Sequence, residues 1–295
     1  MTRDIILLDG GMGQELVHRT DDKPTPLWST HVMSKYPGLV GQVHTDYFDA
    51  GATIATTNTY AIHRDRLVGT ELENDFEALM KTALKEATDV KRDGTQIAGA
   101  IGPLIASYRP DIHPDHDTAV PLYAEVAELL KASVDLIICE TVASVSHAQS
   151  VLAGAMTAGK PVWMAFTLND QDGTILRSGE PLADVIDVCG DAAALLANCS
   201  APEALDAAMP ILAQSGKPFG GYANAFTMIT KDFLGAKPTV DALEERKDMG
   251  PDAYAAHVMN WVAQGATIVG GCCEVGPKHI QTIADKLREA GHRIV

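Results

Sequence analysis

A single-domain (β/α)8 barrel over residues 1–295 is the fold class this sequence predicts, and three observations predict it. Eight short apolar runs alternate with longer segments of helical periodicity, the pattern of parallel strands joined by helical crossovers. Several helical segments open on proline, whose missing N–H is no loss in a first turn. The length of 295 residues, with 46% hydrophobic residues, suits one barrel and its large core. An open doubly wound sheet is the other solution for such a pattern, and the count of eight favours closure.

The strands are expected at 5–9, 52–57, 96–102, 135–140, 161–168, 193–199, 217–222 and 267–271. The helices between them are expected at 74–91, 121–131, 144–158, 202–214, 251–264 and 277–290. In the first of these, Phe76, Leu79, Met80, Ala83, Leu84 and Ala87 recur at helical spacing and define one apolar face. Two stretches exceed the usual loop length: 20–36 after strand one and 223–250 after strand seven. A barrel places its chemistry at the C-terminal ends of its strands. Both long stretches fall there, as binding loops or lids, or as plain insertions.

The formal net charge is −16, with no cluster of lysine and arginine. Such a chain repels phosphate backbones and anionic lipid, which argues against nucleic acid and membrane partners and for small-molecule substrates, with homo-oligomerisation left open. No apolar run approaches the roughly 18 residues of a membrane span, and the first ten residues lack the pattern of a secretory signal. A cytoplasmic location is the default.

Five cysteines in a chain of this size do not form a disulfide framework. Cys139 lies within an apolar run and Cys189 ends a helical segment, so both read as core residues. Cys199 closes strand six, and Cys272 and Cys273 follow Gly270 and Gly271 at the end of strand eight. Adjacent side chains on a strand point to opposite faces, so the vicinal pair can share one metal only if the backbone turns, which the two glycines permit. Three thiolates with one open position would suit a catalytic zinc. Spacing alone leaves three unrelated buried cysteines as the alternative.

Asp9 and Glu140 end strands one and four and should point into the barrel mouth, where they could bind an ammonium group, act as acid or base, or cap a helix. Thr57 and Asn58 end strand two, as candidate hydrogen-bonding groups or an ordinary turn. Gly10-Gly11-Met12-Gly13 lacks the third glycine of a dinucleotide fingerprint, Leu16 standing in its place, so the glycines read as a close approach to a small ligand. The ten histidines form no set, and His113-x-x-His116 reads as a solvated loop.

Several segments, in order along nearly the whole chain, resemble the homocysteine S-methyltransferase family: Leu8-Asp9-Gly10-Gly11-Met12-Gly13, Leu27-Trp28-Ser29, the run from His44 to Ala52, Thr56-Thr57-Asn58-Thr59-Tyr60, Ala197-Asn198-Cys199-Ser200, and Gly270-Gly271-Cys272-Cys273 with the residues to Ile280. The resemblance implies a (β/α)8 barrel, a Zn2+ ion on Cys199, Cys272 and Cys273, and homocysteine as methyl acceptor, its amino-acid end held by Asp9 and Glu140. It carries Asn224 over as a substrate-binding residue. There is a departure at that point: relatives acting on S-methylmethionine often read Pro-Asn-Ser-Gly-Glu, whereas this chain reads Ala223-Asn224-Ala225-Phe226-Thr227. The donor therefore stays open among S-methylmethionine, S-adenosylmethionine, betaine and dimethylsulfoniopropionate.

A sulfonium or quaternary ammonium donor releases a neutral leaving group and needs no general acid, which agrees with the lack of a histidine constellation. Trp28, Tyr60 or Phe226 could stack on such a cation or simply pack. A homocysteine-activating subunit of a cobalamin system, a metal-dependent hydrolase and a silent zinc protein are the rival readings. The first lacks its partner modules in this chain, and the second lacks histidine pairs at strand ends.

Overall fold

The computed structural model describes residues 2–20, 27, 29–226 and 246–295. The barrel strands are β1 (Asp4–Leu7), β2 (Ile54–Thr56), β3 (Gln96–Ile101), β4 (Leu136–Val142), β5 (Val162–Phe166), β6 (Ala194–Asn198), β7 (Phe219–Tyr222) and β8 (Ile268–Val269). Each pairs in parallel with the next from β2 to β8, and β8 pairs with β1. The ring closes through a parallel bridge between Leu8 and Ile54, with Thr53 N donating to Leu7 O at 2.7 Å and Asp9 N to Ile54 O at 3.2 Å. The predicted barrel is the observed fold.

Alternation along the strands sorts the core into two layers. Leu136 and Ile138 of β4 point into the barrel, against Trp163, Ala165, Ala194 and Leu196. Their neighbours Ile137 and Cys139 point outward into the shell between strands and helices. Cys139 and Cys189 are both fully buried in that shell, as expected. Continuing the period of two residues past Ile138 aims Glu140 inward at the top of the barrel.

The helices follow their apolar faces closely. Phe76–Thr88, Val145–Met156, Pro202–Leu212, Pro251–Ala263 and Pro277–Glu289 lie within the expected spans. One start differs. The helix expected from residue 121 begins at His116 and ends at Leu130, with Pro121 inside it. Its true N-cap is Asp115, whose side chain accepts from Thr118 N at 2.9 Å. Proline marks a helix start only by lacking a donor, whereas a carboxylate cap six residues earlier satisfies one of the exposed N–H groups. After β5 the chain forms a hairpin, Leu168–Asn169 paired with Asp172–Leu176, and then the short helix Asp184–Val188.

The expectation of a solvated loop at His113 is overturned. His113 Nε2 lies 2.9 Å from Tyr123 Oη, which also meets His147 Nε2 at 3.0 Å. Tyr123 and His147 are buried, and His113 covers them. His116 instead lies in the first turn of its helix, with Nδ1 3.2 Å from Ser150 Oγ.

Candidate metal and substrate site

The cysteine corner depends on backbone that leaves the strand pattern. On β6, Leu195 and Ala197 face the helical shell, so Cys199 would follow them outward if the strand continued. Instead Cys199 adopts a left-handed conformation, φ 47°, which turns its sulfur toward the barrel axis. A non-glycine residue there costs about 1–3 kcal/mol and persists only where the surroundings impose it. Its N–H bonds to Tyr222 O at 3.2 Å, and Thr167 Oγ1 donates to its carbonyl at 3.2 Å.

The vicinal pair is turned differently from expectation. Neither Gly270 nor Gly271 takes a left-handed conformation; that residue is Glu274, φ 61°, after the cysteines. The two glycines serve close approach instead. A Cβ at Gly270 would stand 2.6 Å from Leu8 Cβ, and one at Gly271 would stand 2.1 Å from Val275 Cγ1. Gly10 and Gly11 play the same part from the other side: a Cβ on Gly11 would lie 2.6 Å from Cys272 O. These glycines thus seat one strand end against another. Cys272 N then donates to Ala223 O at 2.9 Å and Ala225 N to Cys273 O at 3.0 Å.

The three sulfurs converge within 4.8 Å of one another. Cys272 Sγ and Cys273 Sγ are 3.9 Å apart, close to the edge of about 3.8 Å that a tetrahedral site with Zn–S bonds near 2.3 Å requires. The sulfurs of Cys199 and Cys272 stand in close contact, 2.50 Å apart, and Cys273 is free, so the three would hold a metal as reduced thiols. A second observation fits a thiolate cluster. The Nε2 donor of buried Gln14 has no hydrogen-bond partner, and Gln14 lies beside Cys273, where it favours the thiolate. Without a metal, burial pushes the Cys273 thiol up to about 12, with Glu274 adding to the rise. Three soft sulfur donors therefore fit a soft, positively charged metal.

Opposite the cysteines stand the two acids. Asp9 is 4% exposed. Thr56 holds both its oxygens: the N–H donates to Oδ2 at 2.7 Å and the hydroxyl to Oδ1 at 2.8 Å. Burial nevertheless raises the Asp9 carboxyl to about 7, the Thr56 bonds opposing and Glu140 adding to the rise. Glu140 opens on the cavity, and Tyr222 Oη donates to its Oε1 at 2.8 Å. The surrounding protein raises it to about 7 against that bond. Buried His44 lies behind, its Nδ1 4.0 Å from Asp9 Oδ2. Burial lowers His44 to about 4, so it is neutral at neutral pH and brings no charge to Asp9. Two carboxylates that disfavour their own ionisation form a site for a cation, because a bound ammonium neutralises both.

One cavity of about 940 Å³, its open mouth included, is lined by Asp9, Glu140 and all three cysteines, together with Thr57 and Asn58. The Thr57 hydroxyl is engaged with the barrel wall, accepting from Ala100 N at 3.1 Å and lying 2.8 Å from Thr59 Oγ1. Asn58 Nδ2 donates to Ser29 O at 3.3 Å. Asn224 does not join the lining; its Oδ1 accepts from Phe226 N at 3.3 Å and shapes the loop that carries Ala223 and Ala225. Of the aromatic candidates, Tyr60 lines the cavity, Phe226 is buried away from it, and Trp28 lies outside the described residues, as do 21–26 and 227–245 of the two long stretches.

Sequence reasoning passed over Thr56 and Tyr222, which hold the acids, and Arg66, Ser107 and Tyr108, which line the cavity. Tyr222 could have been found, since it ends β7 on the inward side with Ile268 and Leu8. Thr56 ends β2, Arg66 lies in the four-residue helix Arg64–Leu67, and Ser107 and Tyr108 sit in a loop, none of them in a segment long enough to show periodicity.

The site is thus a closed parallel barrel with three cysteines that could hold a metal ion and an acid pair at its C-terminal rim. The chain belongs to the homocysteine S-methyltransferase family, whose model matches residues 6–287. It is 27% identical to the homocysteine S-methyltransferase YbgG of Bacillus subtilis over 96% of this chain and 94% of that one. It is 29% identical to a homocysteine S-methyltransferase of Escherichia coli over 95% and 94%. Among solved structures, it is similar to the homocysteine methyltransferase MmuM from Escherichia coli in its metallated form, with a TM-score of 0.76 and 27% identity, 96% of each chain being covered.

Proposed function

We propose that this chain transfers a methyl group from a sulfonium or quaternary ammonium donor to the sulfur of L-homocysteine, giving methionine, with Zn2+ on Cys199, Cys272 and Cys273. The observation that carries the reading is the convergence of three sulfurs and two buried carboxylates on one cavity. When bound there, zinc supplies the positive charge that keeps an incoming thiol as its nucleophilic thiolate at neutral pH.

The chain's own residues do the rest. Asp9 and Glu140 take the α-ammonium of homocysteine, Asp9 clamped by Thr56 and Glu140 steered by Tyr222. That anchor directs the thiol end toward the cysteine corner. Thr57 and Asn58 form the floor beside Asp9, and Asn224 supports the loop beneath Cys273. The homocysteine sulfur attacks the methyl carbon in line; the bond from that carbon to the donor's sulfur or nitrogen breaks, and its electron pair leaves with a neutral group. No proton has to be delivered. Homocysteine and a small donor are the partners. A reducing cytoplasm suits a site that needs three thiols, and among the described residues no helix is long and apolar enough to cross a membrane.

The test is metal content and methionine formation in the reduced protein, run across the four donors named above. About one zinc per chain with methionine formed from at least one donor is the expected result. A reduced, folded protein that binds no zinc would end this reading.

A further inference from the structure

Arg66 stands on the wall of the same cavity, in the helix Arg64–Leu67. This protein has 39 acidic and 23 basic residues, yet among the described residues no carboxylate pairs with Arg66. Its neighbour Arg64, four ångströms or less from two glutamates, shows the ordinary outcome. Arg66 is held in place rather than neutralised. Its Nε donates to Pro103 O at 2.9 Å, its Nη2 to Ser107 Oγ at 3.3 Å, and its guanidinium lies 5.5 Å from the centre of the Tyr60 ring. Ser107 Oγ in turn lies 2.7 Å from Tyr60 Oη. The loop supplying these contacts carries two left-handed non-glycine residues, Ile105 at φ 63° and Tyr108 at φ 62°. A guanidinium offers five N–H groups, and these contacts use two. A fixed, part-buried cation with unused donors, facing a cavity whose other charged lining residues are Asp9 and Glu140, is built to receive an anion.

We propose that Arg66 is the residue that anchors the carboxylate of the methyl donor. This rests on the proposed methyl transfer. The homocysteine carboxylate is the other source of the same chemistry. It sits one carbon from the ammonium, so its anchor belongs beside Asp9 and Glu140. Among the described residues Arg66 makes no ion pair with either acid, and the groups that touch it are the Tyr60 ring, Ser107 and Pro103 O. The donor has to enter with its methyl toward the cysteine corner, which leaves its far end for the rest of the cavity wall, of which Arg66 is the one cation among the described residues. A cation with no carboxylate would meet Arg66 as a like charge.

Calorimetric binding to the reduced protein tests this without turnover, using dimethylsulfoniopropionate and S-methylmethionine, each against its carboxamide. In the unaltered protein at least one acid should bind about 10- to 100-fold more tightly than its amide, the worth of a charge-assisted pair. Arg66→Met should erase that difference while leaving homocysteine affinity within about twofold. Ser107→Ala, which loosens the guanidinium but keeps its charge, should erase only part of it. Equal binding of acid and amide in the unaltered protein overturns the proposal, and that arm does not depend on any variant folding. So does a difference that survives Arg66→Met, or a loss of homocysteine affinity in its place. An Arg66-dependent preference for the acid with no methionine formed from any donor would leave the anchor standing and remove the proposed transfer.

Discussion

The carboxylate side of the cavity and its cysteine side come from the same ring of strand ends but are built by different means. Glu140 reaches the cavity because β4 alternates, Leu136 and Ile138 pointing inward before it. Cys199 reaches it against the alternation of β6, through a left-handed residue, and Cys272 and Cys273 reach it through loop backbone packed against Gly11 and Ala223. Glu140 is thus aimed by strand register alone, while Asp9, which follows outward-facing Leu7, and the cysteines depend on backbone beyond the strand ends. The two sides also differ in what they lack. The acids are raised toward neutrality by burial, Glu140 adding to the rise at Asp9, so they want a cation from the substrate. The Cys273 thiol is raised by burial and wants one from a metal.

Breaking the cysteine side should give the largest effect. Cys272→Ser removes one soft donor and leaves a hydroxyl that stays protonated, so metal content should fall well below one per chain. Activity should fall by at least about a thousandfold. Cys139→Ser is the matched control, because Cys139 faces the helical shell rather than the cavity. It should lose stability, by about 1–3 kcal/mol for a buried hydroxyl, yet keep its metal. Elemental analysis and thermal melts of the two variants separate these outcomes. Full metal content in Cys272→Ser would show that the corner is not the metal site.

The acid side should respond next, and through pH. Asp9 and Glu140 both rise from the usual carboxylate range to about 7. A group raised on folding contributes stability that is complete below its unfolded value and is lost as pH rises through its folded one. The substrate-free protein should accordingly lose stability between about pH 4 and pH 7 from these two groups. Homocysteine, whose ammonium needs both ionised, should bind more tightly over the same rise. Asp9→Asn should uncouple the two trends. Its Tm at pH 8 should rise by a few degrees without substrate, while its KM for homocysteine should rise about 10- to 100-fold. An Asp9→Asn variant with unchanged KM would remove the acid from the ammonium site.

How much of this was legible beforehand follows the same division. The barrel, its eight strands and the inward aim of Glu140 are periodic features, and a period of two or 3.6 can be read from a single chain. The cysteine corner is not periodic. Nothing in Asn198-Cys199-Ser200 announces a left-handed cysteine, and Gly270-Gly271 suggests a turn where the structure uses a close approach. The family resemblance supplied what periodicity could not. The partners of the acids were hidden for a simpler reason. Thr56 and Tyr222 lie 47 and 82 residues from the groups they hold, and register across the barrel brings them together. His113 was misread because its partner His147 lies on the next helix, and two local residues with a proline look solvated when their covering helix is out of view.

The smallest effect expected separates the two acids from each other. Thr56 gives Asp9 two donors, one of them backbone, whereas Glu140 has one phenol. Tyr222→Phe removes the bond that favours the charged form of Glu140, and burial then raises that carboxyl further. The acid limb of the profile of kcat/KM against pH should move upward by about half a unit to one unit, the worth of one hydrogen bond to a charged group. KM for homocysteine should rise several-fold at pH 7 and return toward the unaltered value at pH 9. Thr56→Val leaves the backbone N–H on Asp9 and should shift the same limb by less, because the stronger of the two restraints remains. A shift in Thr56→Val equal to or larger than that in Tyr222→Phe would mean that Asp9, and not Glu140, sets the protonation state in which the site accepts its substrate.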